Sequence, residues 1–228
     1  MRKQAGTNLK NALTGEVIYT PPQDYETIQE LLSNLENYIN EPNDIDPLVN
    51  MAIIHHQFES IHPFYDGNGR TGRIINILYL ILKEMLDIPV LYLSRYIITH
   101  KADYYRLLQE VRTENSWEEW ILYMLEAVEQ TSLETIELIN SISELMIKTQ
   151  DKISNELPKI YSKDLVEILF MHPYTKIEFL VDRLKITRKT ASKYLSELEK
   201  IDIFKNIQIK NSKYFINVEL FDLLRKGI

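Results

Sequence analysis

The sequence predicts a mainly α-helical chain in two parts: a helical bundle opened by a small β-hairpin, then a unit of three short helices and a second hairpin. Three observations carry that reading. Apolar residues recur at helical spacing through most of the first 150 positions, the pattern changes to short elements after Pro158, and the charge changes sign along the chain. Residues 1–150 hold 11 Lys and Arg against 22 Asp and Glu, residues 151–228 hold 15 against 11, and the whole 228-residue chain carries −7. The boundaries this sets are 1–157 for the first domain and 158–228 for the second.

The opening segment, residues 6–22, mixes Thr14-Gly15 with the β-formers Val17, Ile18, Tyr19 and Thr20 and stops on Pro21-Pro22, which predicts a short hairpin or flap. Ile28, Leu31, Leu32, Leu35 and Ile39 then give an amphipathic helix over 24–39, with Asp24 as its N-cap. Pro42 and Pro47 punctuate the link to a second helix, 48–60. A Gly-rich loop, 66–69, precedes a helix over 70–86 that carries Ile74, Ile75, Ile77, Leu78, Leu80, Ile81 and Leu82. So apolar a helix is expected at the centre of a bundle. Further helices are expected at 101–112 and from Trp117 onward, where Trp117, Trp120, Ile121, Met124, Val128, Ile136, Ile139, Ile142 and Leu145 form a long stripe reaching about Ile153. After Pro158, helices over 163–171, 176–184 and 188–201 precede strands over 203–209 and 214–216 around the turn 210–213, and a short helix over 218–224 closes the chain. Helix, helix, turn, helix and hairpin is a winged helix-turn-helix plan.

Composition narrows the function classes. Hydrophobic residues make up 45% and charged residues 26%, as expected for a folded, water-soluble chain. The absence of cysteine excludes disulfide scaffolds, zinc ribbons and thiol chemistry, and makes a reducing cytoplasmic location the expectation. The longest apolar stretch, 74–82, is broken by Asn76 and falls far short of the roughly 20 residues that span a bilayer, so no membrane association is expected. Arg2 and Lys3 are followed by the polar run 6–10 where a signal peptide needs an apolar core.

The chemistry concentrates in residues 62–73, His-Pro-Phe-Tyr-Asp-Gly-Asn-Gly-Arg-Thr-Gly-Arg. Gly67 and Gly69 allow a tight loop at the mouth of the helix that follows, and a helix N-terminus with free N–H groups is an anion site. Arg70 and Arg73 lie three apart on the first turn, where guanidinium forks suit phosphate oxygens, although cations there oppose the helix dipole unless an anion is present. Asp66 is the nearby hard oxygen ligand, and one carboxylate plus substrate phosphates is a usual way to hold Mg²⁺. His62, with an ordinary pKa of about 6.5, suits the removal of a proton from a hydroxyl. These parts fit nucleotidyl or phosphoryl transfer to a hydroxyl. His55 and His56 have no metal-ligand spacing and read as packing residues, Phe64 as a core anchor, and Tyr65 as pointing elsewhere.

The stretch resembles the signature of the Fic (Fic/Doc) family, His-x-Phe-x-(Asp/Glu)-Gly-Asn-Gly-(Arg/Lys)-x-x-Arg, at every defined position, and the likeness extends over roughly 1–150. The resemblance implies a Fic-type helical bundle and a protein adenylyltransferase that moves AMP from ATP, with Mg²⁺, to a Ser, Thr or Tyr hydroxyl of a target protein or of the chain itself. It makes His62 the general base, Asp66 the metal ligand, and Gly67, Asn68 and Gly69 the anion hole, with Arg70 and Arg73 on the β- and γ-phosphates and Thr71 and Gly72 in the same nucleotide-binding turn. The flap Val17, Ile18 and Tyr19 would pair with an extended target segment, and Tyr104 and Tyr105 would border the adenosine.

One departure concerns the inhibitory helix of many family members, (Ser/Thr)-x-x-x-Glu-(Gly/Asn). Residues 33–37 place the Glu one position too early, which leaves that helix absent, supplied by another chain, or upstream of Met1. In the second part, Arg188, Lys189, Ser192 and Lys193 open the expected recognition helix, so duplex DNA is a candidate partner. A homodimer, and a nucleotide-sensing transcriptional regulator acting through the winged helix, are the other readings.

Overall fold

Acidic caps start the first two helices. In the computed structural model, which describes residues 1–10, 14–210 and 212–227, Asp24 accepts a hydrogen bond from the Thr27 amide and opens α1 (Tyr25–Asn40). Asp46 does the same for the Leu48 amide, and Pro47 occupies the first turn of α2 (Pro47–Ile61). The opening hairpin is β1 (Leu9–Lys10) antiparallel to β2 (Val17–Tyr19), and Asn11, Ala12 and Leu13 lie outside the described residues. Then come α3 (Asn68–Leu82), α4 (Ser94–Thr99), α5 (Lys101–Glu114) and the long α6 (Trp117–Glu156).

The helix at the centre is α2. Its Met51, Ala52, Ile54, Phe58 and Ile61 are all buried, together with His55, His56 and Glu59. The expectation that 70–86 would be central is corrected on two points: α3 ends at Leu82, and Ile74, Leu78 and Leu82 form an exposed stripe at i, i+4, i+8. Only the opposite face, through Gly72, Asn76, Tyr79 and Leu80, is buried. Trp120 of α6 is fully buried against α2, with its indole N–H on the Ala52 carbonyl at 2.9 Å.

The chain divides into two compact units, Met1–Leu133 and Glu134–Ile228, so the packing puts the division inside α6, upstream of the break expected at Pro158. The reason is that Met146 and Ile153, late in α6, pack into the second core. The stripe expected along α6 is interrupted for a related reason: Ile136 and Ile139 are exposed, and the side chains buried beyond them are Leu145, Thr149 and Ile153.

The second unit contains α7 (Lys163–Phe170), β3 (Tyr174–Thr175), α8 (Ile177–Leu184), α9 (Arg188–Lys200), β4 (Phe204–Ile209), β5 (Ser212–Asn217) and α10 (Val218–Gly227). The sheet order is β3-β5-β4, all antiparallel, with Tyr174 opposite Ile216 and Ile207 opposite Tyr214. Its inner face, through Thr175, Phe204 and Phe215, closes on Leu165, Leu169, Ala191 and Leu195. Thr187 caps α9 by accepting from the Thr190 amide, as its side-chain type favours. Asn211 of the expected wing turn lies outside the described residues. No helix among the described residues is long and apolar enough to cross a membrane.

Candidate active site

The site begins where α2 stops. His62 takes a left-handed conformation, φ 49°, an unfavourable backbone for a side chain with a Cβ, and its carbonyl is held in place by a distant residue. Arg2, buried in the core, donates from Nε to the His62 carbonyl at 2.7 Å and from Nη2 to the Ile61 carbonyl at 3.3 Å, with a third bond to the Pro22 carbonyl. The Arg2 amide donates to the Pro63 carbonyl at 2.9 Å. One arginine thus fixes the chain reversal that presents His62 and the end of the flap together. Burial, with Arg2 and Arg112 adding repulsion, lowers the His62 pKa below its ordinary value, while the Glu59 carbonyl opposes this. Its Nδ1 is buried and forms no hydrogen bond of good geometry, the Glu59 carbonyl acting on the ring only as a weaker contact.

The loop is folded by Asn68. Its side chain accepts from the Phe64 amide at 2.9 Å and donates to the Phe64 carbonyl at 2.8 Å, so this residue, expected in the anion hole, clamps the loop through its side chain. Phe64 packs against the core beside Phe58, and exposed Tyr65 accepts the amides of Lys3 and Gln4 on its hydroxyl. Gly67, at φ 83°, is the N-cap of α3 and supplies no side-chain cap, which leaves the first-turn N–H groups available to an anion. The Gly67 amide itself donates to Asp66 Oδ1 at 2.7 Å.

Both arginines fold back over the glycines. A Cβ placed on Gly67 would lie 3.3 Å from Arg70 Nη2, and one on Gly69 would lie 3.3 Å from Arg73 Nη1. Arg70 pairs with Asp66 at 3.2 Å, both highly exposed, so this ion pair exchanges readily with solvent or ligand. Thr71 bonds the Gly67 carbonyl through its hydroxyl at 3.0 Å. Gly72 is where α3 meets α2: an added Cβ would stand 2.9 Å from Glu59 Oε1 and 3.1 Å from His55 Cε1.

The tyrosine pair separates. Tyr104 is 4% exposed and is a core side chain, with its hydroxyl on His55 Nε2 at 2.9 Å and its ring beside Trp120, whereas Tyr105 is 51% exposed. The cause is the helical period: adjacent residues of α5 point about 100° apart, so one faces α2 and the other leaves the core. His55 and His56 are core residues as read, both lowered to about 4 by burial. In the flap, Val17 and Ile18 are exposed, while Tyr19 turns inward and donates to the Ser60 carbonyl at 2.9 Å. Ser33 and Glu36, of the incomplete inhibitory pattern, lie exposed on α1.

Reading along the chain did not single out Arg2, Arg112 or Glu59 as site residues. Arg112 donates from Nε to Ser60 Oγ at 3.0 Å, and Glu59 sits buried one turn before His62. Only Glu59 carried a signal, as the one carboxylate of α2, a helix that is otherwise apolar or neutral polar.

Among the described residues no group of three or more His, Asp or Glu side chains could hold a metal ion. Asp66 is an exposed carboxylate with an exchangeable partner, which fits a divalent cation that takes its other ligands from phosphate and water.

In class, the molecule is mainly helical: a bundle whose third helix opens on a glycine-rich loop, followed by a small unit of helices and a three-stranded sheet. Comparison with known proteins finds two matches: residues 2–80 match the Fic/DOC family, and residues 145–220 match the C-terminal domain of SoFic-like protein adenylyltransferases. The first part of the chain is thus similar to the Fic/DOC family domain, and the second to the C-terminal domain of SoFic-like proteins. A "probable protein adenylyltransferase" of Aquifex aeolicus is 34% identical over 79 residues, covering 35% of this chain and 24% of that protein. Protein adenylyltransferase fic-1 of Caenorhabditis elegans is 34% identical over 89 residues, covering 38% of this chain and 16% of that one. The chain thus matches a quarter or less of these relatives' length. A crystal structure of a Fic family protein from Desulfovibrio desulfuricans shares the fold, with a TM-score of 0.52 at 19% identity over 94% of this chain and 61% of that one.

Proposed function

We propose that the first unit transfers AMP from ATP to a Ser, Thr or Tyr hydroxyl of a target protein. One observation carries the reading: His62, exposed Asp66 and the two arginines surround an uncapped helix N-terminus, where a polyphosphate finds both N–H donors and cations. The hydroxyl oxygen bonds to the α-phosphorus as the bond to the bridging oxygen of the β-phosphate breaks, pyrophosphate leaves, and the hydroxyl proton passes to His62 Nε2. The first-turn amides of α3 hold phosphate oxygens, while Arg70 and Arg73 neutralise charge that grows on the departing pyrophosphate. Asp66 would hold Mg²⁺, which when bound would screen phosphate charge. Val17 and Ile18 offer a free strand edge to an extended target segment, while anchored Tyr19 keeps that edge beside His62. Likeness to relatives named protein adenylyltransferase supports the same reading.

The test is isotopic. With ATP and Mg²⁺, label from the α-phosphate is expected on protein, and label from the γ-phosphate is not. Transfer of γ-label alone would replace adenylylation with phosphorylation.

A second reading, a nucleotide-responsive regulator that binds duplex DNA through the winged unit, is favoured by the exposure of Lys189, Ser192 and Lys193 at the start of α9. Arg188, the fourth residue expected there, is paired with Glu178 at 2.6 Å in an ion pair exposed enough to exchange with a phosphate. DNA binding by the full chain should weaken with salt at a log–log slope of about −0.9 per phosphate contact and diminish in a Lys189→Ala, Lys193→Ala double variant. Salt-independent or unaltered binding would remove this reading.

A further inference from the structure

Glu59 lies on α2 one turn before His62, is only 7% exposed, and its Oε1 has no hydrogen-bond partner. That oxygen lies beneath the first turn of α3, 3.8 Å from where a Cβ on Gly69 would sit and 2.9 Å from one on Gly72. The same Gly69 position is 3.3 Å from Arg73 Nη1. Arg73 Nε and Arg112 Nη2 are also buried without partners. A buried carboxylate and the Arg73 guanidinium therefore meet at the first turn of α3 with hydrogen bonds unmade, and Arg112, which also pulls on the carboxylate though less strongly, brings a second unpaired buried edge. Unpaired buried polar groups of this kind are costly and are uncommon in folded proteins unless a ligand completes them.

We propose that Glu59 is a positioning residue of the phosphate site: the internal counter-ion that Arg73 and Arg112 share while no anion is bound, and that gives up Arg73 to an incoming polyphosphate. The inference rests on the reading of the 66–73 loop as a phosphate site, and adds a residue outside that loop. The groups that face Glu59 are Arg73 from α3, and Arg112 and Tyr104 from α5, with His55 and His62 on its own helix. Burial raises its carboxyl to about 7, against the pull of Arg73 and, less strongly, Arg112. A polyanion on the amides above brings further negative charge toward the carboxylate and draws Arg73 away. Both effects favour the neutral acid, so binding takes up a proton. Affinity accordingly falls as pH rises through the titration of Glu59.

The test is calorimetric binding of the magnesium complex of a non-hydrolysable ATP analogue to the full chain, at about pH 6 and about pH 8.5, in buffers of different ionisation heat. Wild-type protein is expected to bind more weakly at the higher pH with net proton uptake, by about tenfold for each unit by which the ligand moves the Glu59 pKa. Glu59→Gln keeps the shape and removes the charge, so it should bind more tightly than wild type at the higher pH, match it at the lower, and lose that proton uptake. The ligand's own titration is common to both proteins and cancels in the comparison. Equal affinities with equal pH dependence, or weaker binding by Glu59→Gln at both values, would overturn the role of Glu59 while the phosphate site stands. Absence of binding to either protein at any pH would overturn the phosphate site, and this inference with it. Where Glu59→Gln fails to fold, proton uptake by a His62→Ala chain decides: uptake near neutrality supports Glu59, and none refutes it.

Discussion

The guanidinium of Arg112 lies over the ring of Tyr19, 3.9 Å from its centroid, and both side chains bond the same residue of α2, Arg112 to Ser60 Oγ at 3.0 Å and Tyr19 to the Ser60 carbonyl at 2.9 Å. This contact ties β2 of the flap to α5 and to a point two residues before His62. A flap of two short strands could not hold a register alone, because isolated hairpins are marginal in water.

Tyr19→Phe retains the ring beneath Arg112 and loses one hydrogen bond, at a cost of about 0.5–1.5 kcal/mol in urea unfolding. Arg112→Ala removes both the cation over the ring and the bond to Ser60, and should cost about 1–3 kcal/mol. Under the proposed function, Arg112→Ala raises KM for the target protein more than KM for ATP, since the flap meets the target.

His62→Ala and Arg73→Ala should fail differently. Loss of a general base lowers turnover by about 10²–10⁴-fold and leaves nucleotide affinity nearly unchanged. Loss of Arg73 weakens the triphosphate itself, which equilibrium binding would register directly. Full turnover by His62→Ala would remove it from the base role.

The pH profile of transfer follows from the lowered pKa of His62, which burial chiefly causes. A base works only when neutral, so kcat at saturating ATP should rise with pH through a value below the ordinary imidazole figure of about 6.5 and be level by neutrality. An acidic limb centred above that figure would contradict the assignment.

Stability should fall on mild acidification. His55 and His56 are lowered to about 4, so the unfolded chain binds their protons first as pH drops below about 6.5, and folding stability declines down to about pH 4. Glu59, raised to about 7, acts in the opposite sense: the unfolded chain ionises it first, so its contribution is lost as pH rises from about 4.5 towards 7. Two histidines against one glutamate leave a net loss on acidification of about 3–4 kcal/mol, and Glu59→Gln should steepen it. Denaturant unfolding at a series of pH values gives the slope.

Gly72→Ala tests the closeness of α2 and α3. With 2.9 Å to Glu59 Oε1 and 3.1 Å to the His55 ring, a methyl group forces the buried Glu59 carboxylate and the His55 ring to shift, and a destabilisation of about 1–3 kcal/mol is expected on thermal or urea unfolding. Gly15→Ala, where an added Cβ meets nothing within 4 Å but φ is 72°, provides a comparison in which backbone conformation alone acts.

Much of this molecule is written locally. Asp24 caps α1 and Thr187 caps α9 because side-chain oxygens three residues from an amide satisfy it without help from elsewhere. The 62–73 loop is legible for the same reason: Asn68 reaches Phe64 and Gly67 supplies its φ of 83° within one short stretch. The periodicity of α3 showed that its residues prefer burial, but burial also needs a partner face, and the tertiary structure gave that face to α2 while leaving Ile74, Leu78 and Leu82 in solvent. Tyr104 and Tyr105 were equal in the sequence until packing turned one against His55 and the other outward. The bond from Arg2 to the His62 carbonyl, 60 positions on, and the approach of Glu59 and Arg73 to one turn of α3 depend on which elements become neighbours. Caps, turns and loop chemistry act across a few residues and were determined by sequence alone, whereas the burial of charge beneath the loop is a property of three packed helices and was decided only by the fold.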